Sequence, residues 1–316
     1  MSFSRTIKVR SILSLFLAFI SFLIVHSLMD FDRRYNADYF HYENNYKNDW
    51  WQFELGFEYL AYPFKVLNLS FEHFYSFVLV FIIFMLYKIY KKPLVILFAF
   101  PNLVLFSQTL LATQIRYSIA SLVFIYLFKK FYNSKFFYLI GTIALSFHFG
   151  LVLVYLFSLY QKVFINVNVG FRKGRNLFFI IFFIVGVIVF KVIVEYLLLA
   201  FGYYYYVGTD YNVGRSLTGL LYLVVVLLFL TIILFGKRKV YYPEFVFLAF
   251  FVVFFSFAIS DYTVLSGRYY KFYILIEPFI IYSLYKQVGS YYKGLPFFIL
   301  FLIAFLSKLL TLKLVW

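Results

Sequence analysis

NLFFIIFFIVGVIVFKVIVEYLLLAF, residues 176–201, is apolar almost throughout, and its only charged side chains are Lys191 and Glu195. A helix needs about 20 mainly apolar residues to cross roughly 30 Å of hydrocarbon. A helix on the surface of a soluble domain would show a polar face, and this run shows none. Similar runs extend over residues 11–28, 74–90, 94–111, 114–131, 216–235, 243–260, 271–285 and 295–310. The reading is an all-α polytopic integral membrane protein with about nine full spans. The first run follows Arg5, Lys8 and Arg10 and continues into Met29-Asp30 without a small-x-small cleavage site, so it is read as a retained signal anchor.

Composition agrees. Of the 316 residues, 65% are apolar, 26% are aromatic and only 13% are charged, and the mean hydropathy is +0.89. The formal charge of +16 would suggest nucleic-acid binding in a soluble chain, but here the basic residues fill short gaps between apolar runs, which is a topology signal. No nucleic-acid partner is therefore expected. With no Cys, disulfides and thiolate chemistry are excluded. The phosphate-binding patterns GxxxxGK[ST] and GxGxxG are absent too, so no nucleotide-binding domain is expected.

Residues 136–160 form one further apolar stretch, and the cations around it predict its path. A single crossing would place Lys162, Arg172, Lys173 and Arg175 outside, against the positive-inside rule. Two half-helices of about 12 residues each, about 18 Å long, hinged at Ser146-Phe147-His148-Phe149-Gly150, keep that cluster in the cytoplasm. The chain is thus expected to be one transmembrane domain, residues 1–316, with a re-entrant pair at about 136–160 and a cytoplasmic N-terminus. Most carboxylates fall in the outer segments, among them Asp30, Asp32, Asp38, Glu43, Asp49, Glu54 and Glu58, so chemistry is expected on the outer face. The outer loop, residues 30–70, is polar and Tyr/Asn-rich in its first half. Its second half spaces apolar residues helically, which predicts an interfacial helix at about 54–69.

Cations at the outer ends of spans oppose the topology signal and need another reason. Arg116, Arg215 and Arg268 are of this kind, and guanidinium forks suit bidentate phosphate recognition. Snorkelling to lipid headgroups, or pairing with Asp210 and Asp261, is the structural alternative. His148 is the one histidine deep in an apolar segment; it suits a general base, with a hydrogen-bonded structural role as the alternative. The first outer loop adds Arg33, Arg34, Asp38 and Tyr39. Neither Asp30-x-Asp32 nor Asp38-x-x-His41-x-Glu43 amounts to a metal site, and no metal or other cofactor is expected. Lys191 and Glu195 share a helix face and are expected to pair, and Pro101-Asn102 and Glu277-Pro278 read as helix breaks.

Four stretches carry a family resemblance: Arg34-Tyr-Asn-Ala-Asp-Tyr-Phe-His-Tyr, Phe53-Glu-Leu-Gly-Phe-Glu-Tyr-Leu, Ile115-Arg-Tyr-Ser-Ile-Ala and Ala144-Leu-Ser-Phe-His-Phe-Gly. They resemble the EpsG-type branch of Wzy-like bacterial polysaccharide polymerases over roughly residues 29–154. Tyr117 departs from the family's usual Gln, and Phe149-Gly150 from its usual small or hydroxyl residue. The resemblance implies a multi-pass protein of the bacterial inner membrane with a GT-C-like, Wzy-like architecture. It would join polyprenyl-diphosphate-linked oligosaccharide repeats into O-antigen or exopolysaccharide at the periplasmic or outer face.

Donor and acceptor would both be lipid-linked oligosaccharides, with membrane lipid and a chain-length regulator as further partners. Under that reading Arg116 and Arg268, with Arg33, Arg34 or Arg215, would receive the leaving diphosphate. His148 first and Asp38 second would serve as base, and Tyr39, Tyr117 and Tyr269 would hold sugars. Two alternatives stand beside it. One is a GT-C-type glycosyltransferase using a polyprenyl-phosphate sugar, served by Asp30 and Asp32. The other is a lipid-linked-oligosaccharide flippase or transporter, which would need more charge along its path than Lys191, Glu195 and Glu277 supply.

Overall fold

The computed structural model describes residues 2–29, 36, 38–168, 174–200, 217–235 and 240–288, and the single positions 202, 207, 299, 302, 303 and 306. Among them every regular element is helical, in line with a helical membrane protein. The chain divides into two compact units, Met1–Tyr155 and Leu156–Trp316.

In the first unit α1 (Ser2–Ser27) is followed by two helices of the outer loop, α2 (Tyr39–Asn48) and α3 (Leu55–Val66). Next come α4 (Phe71–Ile89) and α5 (Pro93–Leu105), the latter opened by a proline at its first position, where a missing N–H costs nothing. Pro101 does not end α5. The helix continues four residues further and then widens into a π-helical turn, Ser107–Ala112. After a bend at residues 113–114, α6 (Ile115–Phe131) runs through the centre of the unit. Ile119, Ala120, Leu122, Phe124, Ile125 and Phe128 on α6 are fully buried, so neighbours surround it on every side. It packs on α4, and α1 packs on α5 with a Ser14 hydroxyl donating to the Lys91 carbonyl.

The segment expected to form two twelve-residue half-helices differs in its first arm. That arm is two short turns, α7 (Phe137–Ile140) and α8 (Thr142–Leu145), meeting at Gly141. The chain leaves helical geometry at Ser146-Phe147, and His148 is extended, with φ −161° and ψ 113°. A 3₁₀ turn (Phe149–Leu151) then leads into α9 (Val152–Phe164). The chain doubles back here, since the Tyr155 hydroxyl donates to the Tyr138 carbonyl and its ring packs on Phe137. Gly141 makes this approach feasible, because a Cβ there would lie 2.4 Å from the Tyr155 ring.

In the second unit α10 (Gly174–Ala200), α11 (Leu217–Phe235), α12 (Pro243–Ala258) and α13 (Thr263–Val288) surround a phenylalanine-rich core on α12. The Phe245 and Phe279 rings stack at 4.5 Å, and the Ser256 hydroxyl donates to Ser266 O at 2.9 Å. Pro278 lies within an unbroken α13, contrary to expectation. The buried Glu277 beside it accepts from the hydroxyls of Tyr222 and Tyr273, which ties α11 to α13. Lys191 also departs from expectation. Its ammonium pairs with Asp261 at 2.7 Å rather than with Glu195, which instead accepts from the Tyr262 hydroxyl at 3.4 Å. The two helices α4 and α10 have the length and apolarity to cross a membrane by those criteria alone. The run at residues 295–310 lies largely outside the described residues, as do Asp30 and Asp32.

Candidate active site

Three side chains that are far apart in sequence meet in the first unit: Glu54, Arg116 and His148. Each is placed by a local irregularity of the backbone. Arg116 sits in the first turn of α6, immediately after the π turn and the bend. Side chains hold that backbone in place. Tyr75 donates to Ala112 O at 2.7 Å, Asn36 Nδ2 to the same oxygen at 3.3 Å, and Ser118 to Leu110 O at 2.5 Å. π turns open the i→i−4 ladder and leave carbonyls that need such outside partners.

Glu54 is the N-cap residue of α3, with extended backbone (φ −65°, ψ 142°), and its carbonyl accepts the first helical bonds from Phe57 and Glu58. The two residues before it are fixed from α2 and α3. Asn45 Oδ1 accepts from Gln52 N at 3.0 Å, and the buried Glu58 accepts from Phe53 N at 3.1 Å and Asn45 Nδ2 at 2.8 Å. The carboxylate of Glu54 makes no cap bond to α3. It points to the other two elements instead. Oε2 accepts from Arg116 at 2.5 Å, while Oε1 lies 3.2 Å from His148 Nδ1 and accepts from Phe149 N at 3.1 Å.

The third element is the hinge. Gly56 N donates to Ser146 O at 2.7 Å, a backbone-to-backbone contact that draws the start of α3 onto the hinge. A Cβ at residue 56 would lie 2.4 Å from Ser146 Oγ and 2.8 Å from Ser146 C and O. Only glycine permits that approach.

His148 Nδ1 lies 3.1 Å from the Gly150 amide and 3.2 Å from Glu54, and one nitrogen cannot both accept and donate. The proton belongs on Nδ1, because a bare lone pair there would face a carboxylate. The basic lone pair of the neutral ring is then at Nε2. Tyr117 meets the imidazole edge-on at 5.5 Å. Phe53 lies 4.0 Å from the Arg116 guanidinium carbon and Tyr42 5.7 Å, so aromatic faces flank the cation. Arg116 Nε is buried without a hydrogen-bond partner among the described residues.

Burial alone would raise the Glu54 carboxyl. The His148 hydrogen bond and the nearby charges of Arg116 and His148 outweigh it together and hold the group down at about 2. Tyr42 goes the other way: burial pushes its phenol up to about 12 despite Arg116 beside it. The cluster therefore holds a carboxylate that is ionised across the physiological range and anchors both a fixed cation and an imidazole. Such an arrangement can accept a proton at the imidazole and stabilise developing negative charge at the guanidinium.

The other expected site residues are distributed as follows. Tyr117 and His148 join Arg116 in the cluster. Asp38 is the N-cap residue of α2, and its charge acts on Tyr42 one turn on. Tyr39 is buried edge-on against Phe71 and Tyr75, both at 5.0 Å. Arg268 is half-buried near the start of α13 in the second unit, and Tyr269 is buried there against Phe255 at 4.9 Å. Arg33, Arg34 and Arg215 lie outside the described residues. Among the described residues no group of three or more His, Asp or Glu side chains could hold a metal ion. Glu54 was not singled out from sequence as a site residue. Its one signal was its place two residues before Gly56 in the second stretch of family resemblance.

No curated protein and no solved structure matches the chain. A model of the EpsG family matches residues 14–315. With that match over nearly its whole length, the chain belongs to the EpsG family, membrane proteins of polysaccharide biosynthesis with a polymerase- or glycosyltransferase-like role.

Proposed function

We propose that the protein polymerises polyprenyl-diphosphate-linked oligosaccharide repeats on the outer face of the bacterial cytoplasmic membrane. The observation that carries this reading is Glu54 bridging Arg116 and His148. A hydroxyl of the acceptor repeat gives its proton to His148 Nε2, and its oxygen bonds to the anomeric carbon of the donor chain. The anomeric carbon–oxygen bond to the diphosphate breaks, and the diphosphate leaves with the electron pair. Glu54 holds the imidazole through Nδ1–H and stabilises the imidazolium as it forms. Arg116 offers its remaining N–H groups to the charge growing on the leaving oxygen.

The products are the lengthened glycan on one lipid carrier, a free polyprenyl diphosphate and a proton. Arg268, Arg33, Arg34 and Arg215 are further candidates for the diphosphate, Asp38 for a second base, and Tyr117 and Tyr269 for sugar contacts. In this reading the chain crosses the membrane about nine times, with the N-terminus in the cytoplasm, and residues 136–160 enter from the cytoplasmic side and return. A chain-length regulator would act on it as a partner.

Surface glycan from a deletion strain tests the proposal. Loss of the gene is expected to leave single-repeat glycans in place of a length ladder. Arg116→Ala and His148→Ala should reproduce that loss at normal protein abundance. Long chains persisting in the deletion strain, or absence of even the first repeat, would sink the assignment.

A further inference from the structure

We propose that α3 is an interfacial helix whose outward face lies in the headgroup region of the bilayer and sets the depth of Glu54. Its inner face, Phe57, Glu58 and Ala61, is buried, with Phe57 against Tyr42 of α2 at 5.7 Å and Phe74 of α4 at 5.5 Å, and Glu58 bonded to Asn45 of α2. Its outer face is Leu55, Tyr59, Tyr62 and Val66, at helical spacing and 63%, 63%, 50% and 59% exposed. That face carries no charge. The one cation of α3, Lys65, folds away from it. Its ammonium bonds Asp49 at 2.7 Å, lies 3.9 Å from Glu58, and sits 5.5 and 5.9 Å from the rings of Tyr46 and Trp51. A water-facing helix would show the reverse pattern, with apolar residues in and charges out.

The occupant is indicated by what this surface adjoins. Phe64 on α3 packs on Phe77 of α4 at 5.1 Å. Phe77, Val80 and Phe84 form an exposed apolar stripe along α4, a helix long and apolar enough to cross a bilayer. Leu67 and Leu69 are exposed between the two helices and carry the apolar surface of α4 onto α3, interspersed with exposed Asn68, Ser70, Glu72 and His73, polar groups of the kind the headgroup level admits. Tyr59 and Tyr62 cluster with the exposed Trp51 at 5.6 and 6.4 Å, the residue types that favour the headgroup level. As the N-cap residue of this helix, Glu54 is held at the height where a lipid-linked diphosphate would lie. This last consequence rests on the polymerase reading; the docking of α3 does not.

The chain has no cysteine, so single-cysteine variants Tyr59→Cys, Val66→Cys and Asn48→Cys can each carry one nitroxide label. The full-length protein is reconstituted in phosphatidylethanolamine and phosphatidylglycerol vesicles, and collisions with oxygen are compared with those of a water-soluble nickel chelate. Labels at 59 and 66 should favour oxygen several-fold, while the label at 48, at the end of polar α2, favours the chelate. Equal chelate access at 59, 66 and 48 overturns the proposal. Chelate access that falls only when polymeric glycan is added overturns it in favour of a sugar-binding face. Wild-type-like yield and gel-filtration profile establish that each labelled chain is folded. Because the readout needs no activity, failure of the polymerase reading leaves it unchanged.

Discussion

Glu54 is the residue on which the cluster depends. Glu54→Gln keeps the shape and one hydrogen bond but removes the charge that orients His148 and balances Arg116. Loss of an orienting carboxylate of this kind costs roughly 10²–10⁴-fold in turnover. Glycan polymerisation by Glu54→Gln should therefore drop by at least about 100-fold at unchanged protein abundance. A ladder of normal length would remove Glu54 from the reaction.

The same carboxylate links stability to pH. Its folded value of about 2 lies below the free value of 4.5, so the folded state binds the proton less tightly. The stabilisation is fully present above about 4.5 and is lost as pH falls toward about 2. It amounts to about 3 kcal/mol before solvent screening, which lowers it further. The melting temperature of the solubilised wild type should exceed that of Glu54→Gln at pH 6, and the gap should close between about pH 4.5 and pH 2. A gap that stays constant over that window would show that the ionised carboxylate contributes nothing.

At the scale of elements, the contact between α3 and the hinge is the device that brings Glu54 to His148. Gly56→Ala places a methyl group against the Ser146 backbone, which cannot yield as a flexible side chain would. The expected cost is about 1–3 kcal/mol of overpacking strain, and the Gly56 N–H bond to Ser146 O should be lost with it. Activity should fall as steeply as in Glu54→Gln, although Glu54, Arg116 and His148 all remain. Wild-type polymerisation by Gly56→Ala would show that the start of α3 need not touch the hinge.

Most helices were legible from sequence because apolarity over about 20 residues is a strong local signal. The meeting of Glu54 with Arg116 and Phe149 was not, since those partners lie 62 and 95 positions away and no local pattern records such a pairing. Tyr39 shows the converse. An amphipathic ring in a polar loop reads as a sugar platform, yet its ring lies edge-on to Phe71 and Tyr75 in the core. Lys191 and Glu195 have the spacing for an i,i+4 pair, but Asp261 offered the lysine a carboxylate at 2.7 Å.

Across the full chain, the path of residues 136–160 governs which side of the membrane each later loop faces. The chain reverses between Tyr138 and Tyr155, which are joined by a hydrogen bond. A segment that doubles back there has no need to cross. Were it to cross once, every later loop would change sides, and Lys162, Arg172, Lys173, Arg175, Lys237, Arg238 and Lys239 would face outward against the strong bias of basic loops to the cytoplasm. Exposed positions flank the segment at Asn133 and Asn168. In the cysteine-free chain, Asn133→Cys and Asn168→Cys should both resist a membrane-impermeant maleimide in intact cells and both react after the membrane is opened. Labelling of one from outside and the other only from inside would mean a single crossing. It would also move Arg268 to the cytoplasmic side, because one additional crossing before α13 reverses the direction of that helix.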